Sequence, residues 1–202
     1  MEGVKLAQVF GLALFLVVPS ARADSAFEFL SREEGVTVEV NRGGDRPVPQ
    51  VRATSELAAS TDRIAQVLTQ FSRYGEIFSE CWAKADVLEA SPKSARLHVV
   101  WRYPFFFRNR DSINRYEFKQ VANGTYLLTW REDAKPGDPE EGVRLQYVEG
   151  KVELRPISAK KSLVTYTFLG DLGGDFSNGV REAAWKRQPL HYFQALAKEL
   201  AN

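Results

Sequence analysis

The apolar residues change period along the chain, and the changes mark its elements. Across residues 35–40, Val36, Val38 and Val40 alternate with polar residues, which predicts a strand with one wet face. A glycine-rich turn over 41–47 leads to a second strand at 48–57, and the two read as a hairpin. Ile64, Val67, Leu68, Phe71 and Tyr74 then recur at three- and four-residue spacing, the stripe of a helix. Ser60 or Thr61 caps it and Gly75 ends or bends it. A short strand is expected at 87–90.

An antiparallel meander follows. Residues 96–103 place Leu97, Val99, Trp101 and Tyr103 on one face, and 111–121 form the next strand. Asn123-Gly124 is a hairpin turn, from which 126–131 return with Tyr126, Leu128 and Trp130 aligned. The charged, proline-containing stretch 132–141 is a loop. Residues 142–156 read as one long strand bent near Gly150, and 163–169 as a strand with Val164, Tyr166 and Phe168 on one face. Glycines and aspartates at 170–175 break it. The final segment is a long helix carrying Val180, Ala184, Phe193, Leu196, Ala197 and Leu200. Pro189 inside it has no N–H, so the Trp185 carbonyl loses its helical partner and a kink is expected there. Residues 24–34 are mixed, and 26–30 read as a docking turn or short helix. The predicted class is α+β: one curved antiparallel sheet wrapped around a long C-terminal helix, with an internal cavity where the two do not touch.

Residues 1–23 stand apart. Lys5 precedes an apolar run from Leu6 to Val18, and Ala21-Arg22-Ala23 has the small-x-small form that signal peptidase reads. Cleavage after Ala23 is expected, leaving 24–202 as one domain in the periplasm or outside the cell; an uncleaved anchor is the alternative reading. Loss of Glu2, Lys5 and Arg22 with this leader leaves basic and acidic residues equal in number. That balance argues against a nucleic-acid binder, which needs a basic excess. A single cysteine, Cys81, cannot form an internal disulfide, so the fold must rest on its core; its bulky apolar neighbours predict a buried thiol.

Several pieces, in order, resemble the START domain, the lipid-binding module of the helix-grip superfamily that also holds polyketide cyclases and Bet v 1-like proteins. They are Phe71-Ser72-Arg73-Tyr74 followed by Ile77-Phe78, and Arg110-Asp111-Ser112-Ile113-Asn114-Arg115. Val143-Arg144 with Gly150, Val152, Leu154 and Pro156 follows, then Thr165-Tyr166 with Asp171-Leu172-Gly173-Gly174 and Pro189. The resemblance spans residues 35–200. Ser177, Gly179 and Glu182 depart from the family pattern at the start of the last helix. The resemblance implies a lipid cavity beneath that helix, with Arg115 matching a strand arginine that faces the cavity in sterol-binding relatives.

Trp101, Tyr103, Trp130, Tyr147, Tyr166 and Trp185 are the polar-edged aromatics on matching strand faces or the last helix, suited to line such a cavity. Ordinary core packing explains the same pattern. Arg115 paired to a carboxylate on the sheet surface is its alternative reading. Arg108 and Arg110 suit lipid headgroups or solvent equally. The two histidines, His98 and His191, lie far apart, His98 on the side of its strand opposite the apolar face. Zinc motifs, a nucleophile elbow and a phosphate loop are all missing from the sequence. The expected function is therefore non-catalytic, with no cofactor: a monomer that binds, and as a further step transports, a lipid or sterol-like molecule. Transient membrane contact is left open. A cyclase or aromatase using Tyr166 or Arg115, and an interaction module whose cavity is filled by its own side chains, remain the alternatives.

Overall fold

A computed structural model describes residues 26–44, 48–102, 107–121, 123–170 and 176–202. The predicted leader, Tyr103 and the Asp171 to Gly174 turn lie outside the described residues. Among the described residues, ten strands form a single sheet. In chain order they are β1 (Glu28–Glu33), β2 (Val36–Asn41), β3 (Gln50–Leu57), β4 (Trp82–Ser91), β5 (Ser94–Trp101) and β6 (Arg110–Gln120), followed by β7 (Tyr126–Glu132), β8 (Val143–Arg144), β9 (Glu149–Ser158) and β10 (Lys161–Leu169). Their spatial order is β1-β2-β3-β10-β9-β7-β6-β5-β4, with β8 paired in parallel to β6 and every other pairing antiparallel. The helices are α1 (Thr61–Leu68), α2 (Tyr74–Ile77) and α3 (Asn178–Ala201). The chain thus has the curved antiparallel sheet and long C-terminal helix of the helix-grip class.

Local chemistry accounts for the element ends. Ser60 caps α1, its hydroxyl accepting from the Arg63 N–H at 3.2 Å. Asn123 and Gly124 both take positive φ, 62° and 69°, the twist that joins β6 to β7 without splaying them. Gly150 lies in β9 opposite Trp130, where a Cβ would come within 2.2 Å of the indole Cζ2. The strand passes close under the indole because no side chain stands there.

Three expectations are corrected. Residues 28–33 form an edge strand, not a turn or helix: a positive-φ pair, Glu34 at 48° and Gly35 at 77°, folds them back on β2. The first helical stretch is not continuous to Gly75. It stops at Leu68, where the Thr69 hydroxyl bonds the Ala65 carbonyl, and resumes as a 3-10 turn and α2, with Gly75 inside α2. Residues 142–156 are not one strand, because Tyr147 at φ 56° turns the chain between β8 and β9.

The core occupies the inner face of the sheet against α1, α2 and α3. Helix α3 runs unbroken across Pro189 and is unevenly held. Pro189, Leu190, Tyr192, Phe193, Ala195 and Leu196 are buried, whereas no residue of α3 before Pro189 is. Arg73 ties the far end down, pairing with Glu199 at 2.7 Å. Among the described residues, no helix is long and apolar enough to cross a membrane.

Candidate functional site: a hollow between sheet and helix

Two small chambers lie between the inner face and α3. The first, about 40 Å³, is bounded by Val51, Trp101, Leu145 and Phe168 below and by Ala184, Trp185 and Gln188 of α3 above. A second, about 10 Å³, is lined by Tyr74, Trp82, Trp101, Tyr116, Leu128, Trp130, Tyr166 and Tyr192. Trp101 borders both. The second wall is a run of rings in contact. Tyr116 stacks on Trp130 with centroids 5.8 Å apart, Trp130 meets Tyr166 at 5.5 Å, and Tyr166 meets Tyr192 of α3 at 4.7 Å. Tyr192 in turn stacks on Phe78 at 4.7 Å. Gln188 donates to the Tyr166 hydroxyl at 2.8 Å, the polar link between α3 and this wall.

Burial pushes the phenols of Tyr74, Tyr166 and Tyr192 well above their ordinary value, and that of Tyr116 upward too. They remain protonated at neutral pH, so they offer O–H groups rather than bases. Polar groups also enter from β6. Its inward residues are Ser112, Asn114 and Tyr116, opposite Val99, Leu97 and Ala95 of β5. Asn114 donates to Ser112 Oγ at 2.8 Å, and the Trp101 indole donates to the same oxygen at 3.3 Å.

Of the residues the sequence singles out, Trp101, Trp130, Tyr166 and Trp185 meet around the hollow. Tyr103 lies outside the described residues. Arg115 does not face the cavity. Inward positions of β6 are even-numbered, so Arg115 points outward, bonding Glu89 and Asp133 at 2.9 Å each. Its surface-pair reading is the correct one. Tyr147 is also misplaced: the turn at its own positive φ leaves it 55% exposed. Arg108 and Arg110 separate as well. Arg108 is exposed and bonds the Gly142 carbonyl at 2.9 Å, while Arg110 is buried with its guanidinium 4.5 Å from the Phe176 ring centroid.

Tyr116, Trp82, Tyr192 and Gln188 line the hollow without having been singled out. Two of these were within reach. The tight Asn123-Gly124 turn pairs Tyr116 with Trp130, and Tyr192 lies seven residues, two helical turns, after Trp185.

The outer face of β5 and β6 carries a second buried polar group. His98 does lie opposite the apolar face, but residues 133–142 fold over it and it is fully buried. His98 Nε2 and Arg144 Nη2 approach Asp111 Oδ2 at 2.9 and 2.8 Å, and the Glu141 N–H donates to it at 3.2 Å. Burial alone would raise the Asp111 carboxyl; the Arg144 and His98 bonds outweigh it and hold the group below the usual carboxylate range. Arg96 donates to the Asp133 carbonyl and pairs with Asp138. This set pins the loop from outside and so delivers Leu145 into the first chamber.

No known family model matches the sequence, and no curated protein is significantly similar to it. Solved structures do match. A STAR-related lipid transfer protein from Xanthomonas axonopodis superposes with a TM-score of 0.75 at 19% identity, covering 87% of this chain and 99% of that one. Human StAR-related lipid transfer protein 5 gives 0.75 at 14% identity, covering 89% and 88%. The Zhui aromatase/cyclase from Streptomyces sp. R1128 gives 0.57 at 16% identity, covering 75% and 93%. With the sheet order, the long closing helix and these superpositions together, the chain has a START-like fold.

Proposed function

We propose that the protein binds one hydrophobic small molecule, a lipid or sterol-like compound, between the sheet and α3, and carries it outside the cytoplasm without chemical change. The observation that carries this reading is the uneven hold on α3. Its first half roofs an apolar chamber and contributes no buried residue, while its second half is anchored in the core. Swinging the first half outward would remove Ala184, Trp185 and Gln188 from the roof and join the chambers. Such a movement is required, since ligand sites run to roughly 300–1,000 Å³ and the closed chamber holds about 40 Å³. Binding would draw on apolar area removed from water, about 25 cal/mol per Å². The lipid-transfer proteins among the structural matches support the same reading, and the leader expected at residues 1–23 supports the location. The aromatase/cyclase alternative loses Arg115, which points away from the cavity, and keeps Tyr166, whose protonated phenol could polarise a carbonyl.

A second reading has its own observation. The small volume and the ring-to-ring packing favour an interaction module whose hollow is filled by its own side chains. One experiment separates the two: native mass spectrometry of the protein purified gently from its own cell envelope, with identification of what is released, followed by uptake from lipid vesicles. One lipid per chain supports the carrier. A protein that arrives empty and takes up no lipid supports the filled module.

A further inference from the structure

The three residues at which α3 departs from the START pattern fall at the start of the half that carries no buried residue. Ser177 caps the helix, its hydroxyl accepting from the Val180 N–H at 3.4 Å, and a Cβ at Gly179 would meet nothing within 4 Å. Glu182 differs from both, because it has a partner outside α3. Arg42, just past the end of β2, pairs through its guanidinium with Glu28 of β1 and lies 3.8 Å from the Glu182 carboxylate. The same guanidinium is 5.9 Å from the ring centroid of Trp185, the indole that bounds the first chamber. Lys186, one turn further on, shares Glu182 at 2.8 Å. One arginine thus joins the first strand of the sheet to two residues of the roof. Pro189, with no N–H to offer the Trp185 carbonyl, stands between this half of the helix and the anchored half.

We propose that Arg42 is a clasp that holds the unburied half of α3 closed, and that its release sets the rate at which cargo enters and leaves. The inference rests on the ligand-binding reading above and adds how that site is regulated. Ion pairs between partly exposed groups contribute little to the stability of a whole fold. A segment without buried side chains opens on a much smaller free-energy scale than global unfolding, and there the same contacts weigh heavily. The second half of α3 is in the opposite situation: its Arg73–Glu199 pair only adds to side chains already anchored in the core. Arg42, Glu28 and Glu182 are all partly exposed, so added salt screens them. The roof therefore loosens as ionic strength rises, while the fold itself holds.

The floor of the chamber reports the position of its roof. Val51 is 1% exposed and bounds the first chamber opposite Trp185, so the thiol that Val51→Cys places there meets a maleimide only when the roof lifts. Peptide mass spectrometry separates that thiol from Cys81. Adding Arg42→Gln to this background should speed labelling about three- to tenfold and leave the melting midpoint within about 2 °C. Raising sodium chloride from about 50 to about 500 mM should speed labelling severalfold where Arg42 is present and not where it is replaced. Glu182→Gln, which keeps the contacts of Arg42 with Glu28 and the indole, should give part of the effect. Arg73→Gln, on the anchored half, should leave labelling unchanged. Dissociation of a fluorescent alkyl probe from the same proteins reads cargo exchange and should quicken in proportion to labelling. Labelling that ignores both salt and Arg42→Gln overturns the clasp, whether or not the probe binds. Faster labelling with unchanged probe dissociation overturns its control of exchange. A protein that takes up no probe at all removes the ligand-binding reading, and labelling still decides the clasp. The salt comparison with Arg42 in place settles the matter even where Arg42→Gln fails to fold.

Discussion

Gly150→Ala tests whether the Trp130 wall is as closely fitted as its geometry requires. The added Cβ would lie 2.2 Å from Trp130 Cζ2, 2.6 Å from Cε2 and 2.5 Å from the Thr167 carbonyl oxygen. Non-bonded carbon atoms rest at about 3.5–4.0 Å, so the indole must retreat by roughly 1 Å or more. Tyr116 and Tyr166 stand against it, and the adjoining chamber offers only about 10 Å³. Overpacking of this kind costs about 1–3 kcal/mol, and the fixed carbonyl places the substitution in the upper half of that range. For a chain of this size, about 2 kcal/mol lowers the melting midpoint by about 4–8 °C. Urea unfolding followed by circular dichroism gives the stability change directly. Trp130→Phe removes the clashing edge of the indole, so the double variant should recover at least about 1 kcal/mol relative to the sum of the single changes. It should not recover all of it, because the carbonyl contact stays. A cost below about 0.5 kcal/mol for Gly150→Ala, or strict additivity of the pair, would refute the reasoning.

Asp111→Asn should destabilise the fold by about 3 kcal/mol at neutral pH, because it leaves Arg144 without its buried partner. The folded Asp111 carboxyl sits below its free value, so its contribution is present above about pH 4 and is lost as pH falls through the folded value. The variant should accordingly show a flatter acid limb in stability measured against pH, and an unchanged limb would count against this assignment. Arg115→Ala should leave alkyl-probe affinity within about twofold and stability within about 1 kcal/mol, since it breaks only partly exposed pairs on the outer face; loss of binding would return Arg115 to the cavity. Burial, helped by Glu80, pushes the Cys81 thiol up to about 12, so a thiol reagent at pH 8 should label the protein only in denaturant. Rapid labelling of the native chain would show that the core opens there.

The fold was legible because strand alternation and helical spacing are local signals that survive in a single sequence. Trp101, Trp130 and Tyr166 each sat among apolar residues two positions away, and the pairing bears out that shared face. Arg115 failed for the same reason that they succeeded. A period of two allows only in or out, and nothing in residues 110–115 says which parity faces the helix until Tyr116 is set against Trp130. Tyr147 was aligned by treating 142–156 as one strand, an error no periodicity reveals when the break is a single positive-φ residue that is not glycine. The burial of His98 depends on a loop more than thirty residues later in the chain folding over it, and that covering has no local signature.

The sheet order has a consequence for how the chain is made. β3 has β2 on one side, and its other neighbour is β10, with Leu57 facing Ser162 and Gln50 facing Leu169. The first three strands cannot join the rest of the sheet until the last strand has been synthesised. Through most of translation they remain a small ribbon with an open edge, the kind of long-range pairing that folds slowly and invites wrong partners. A chain stopped short of β10 would strand that ribbon altogether. Nascent protein should therefore stay sensitive to protease until its C-terminus is released, then become resistant in one step.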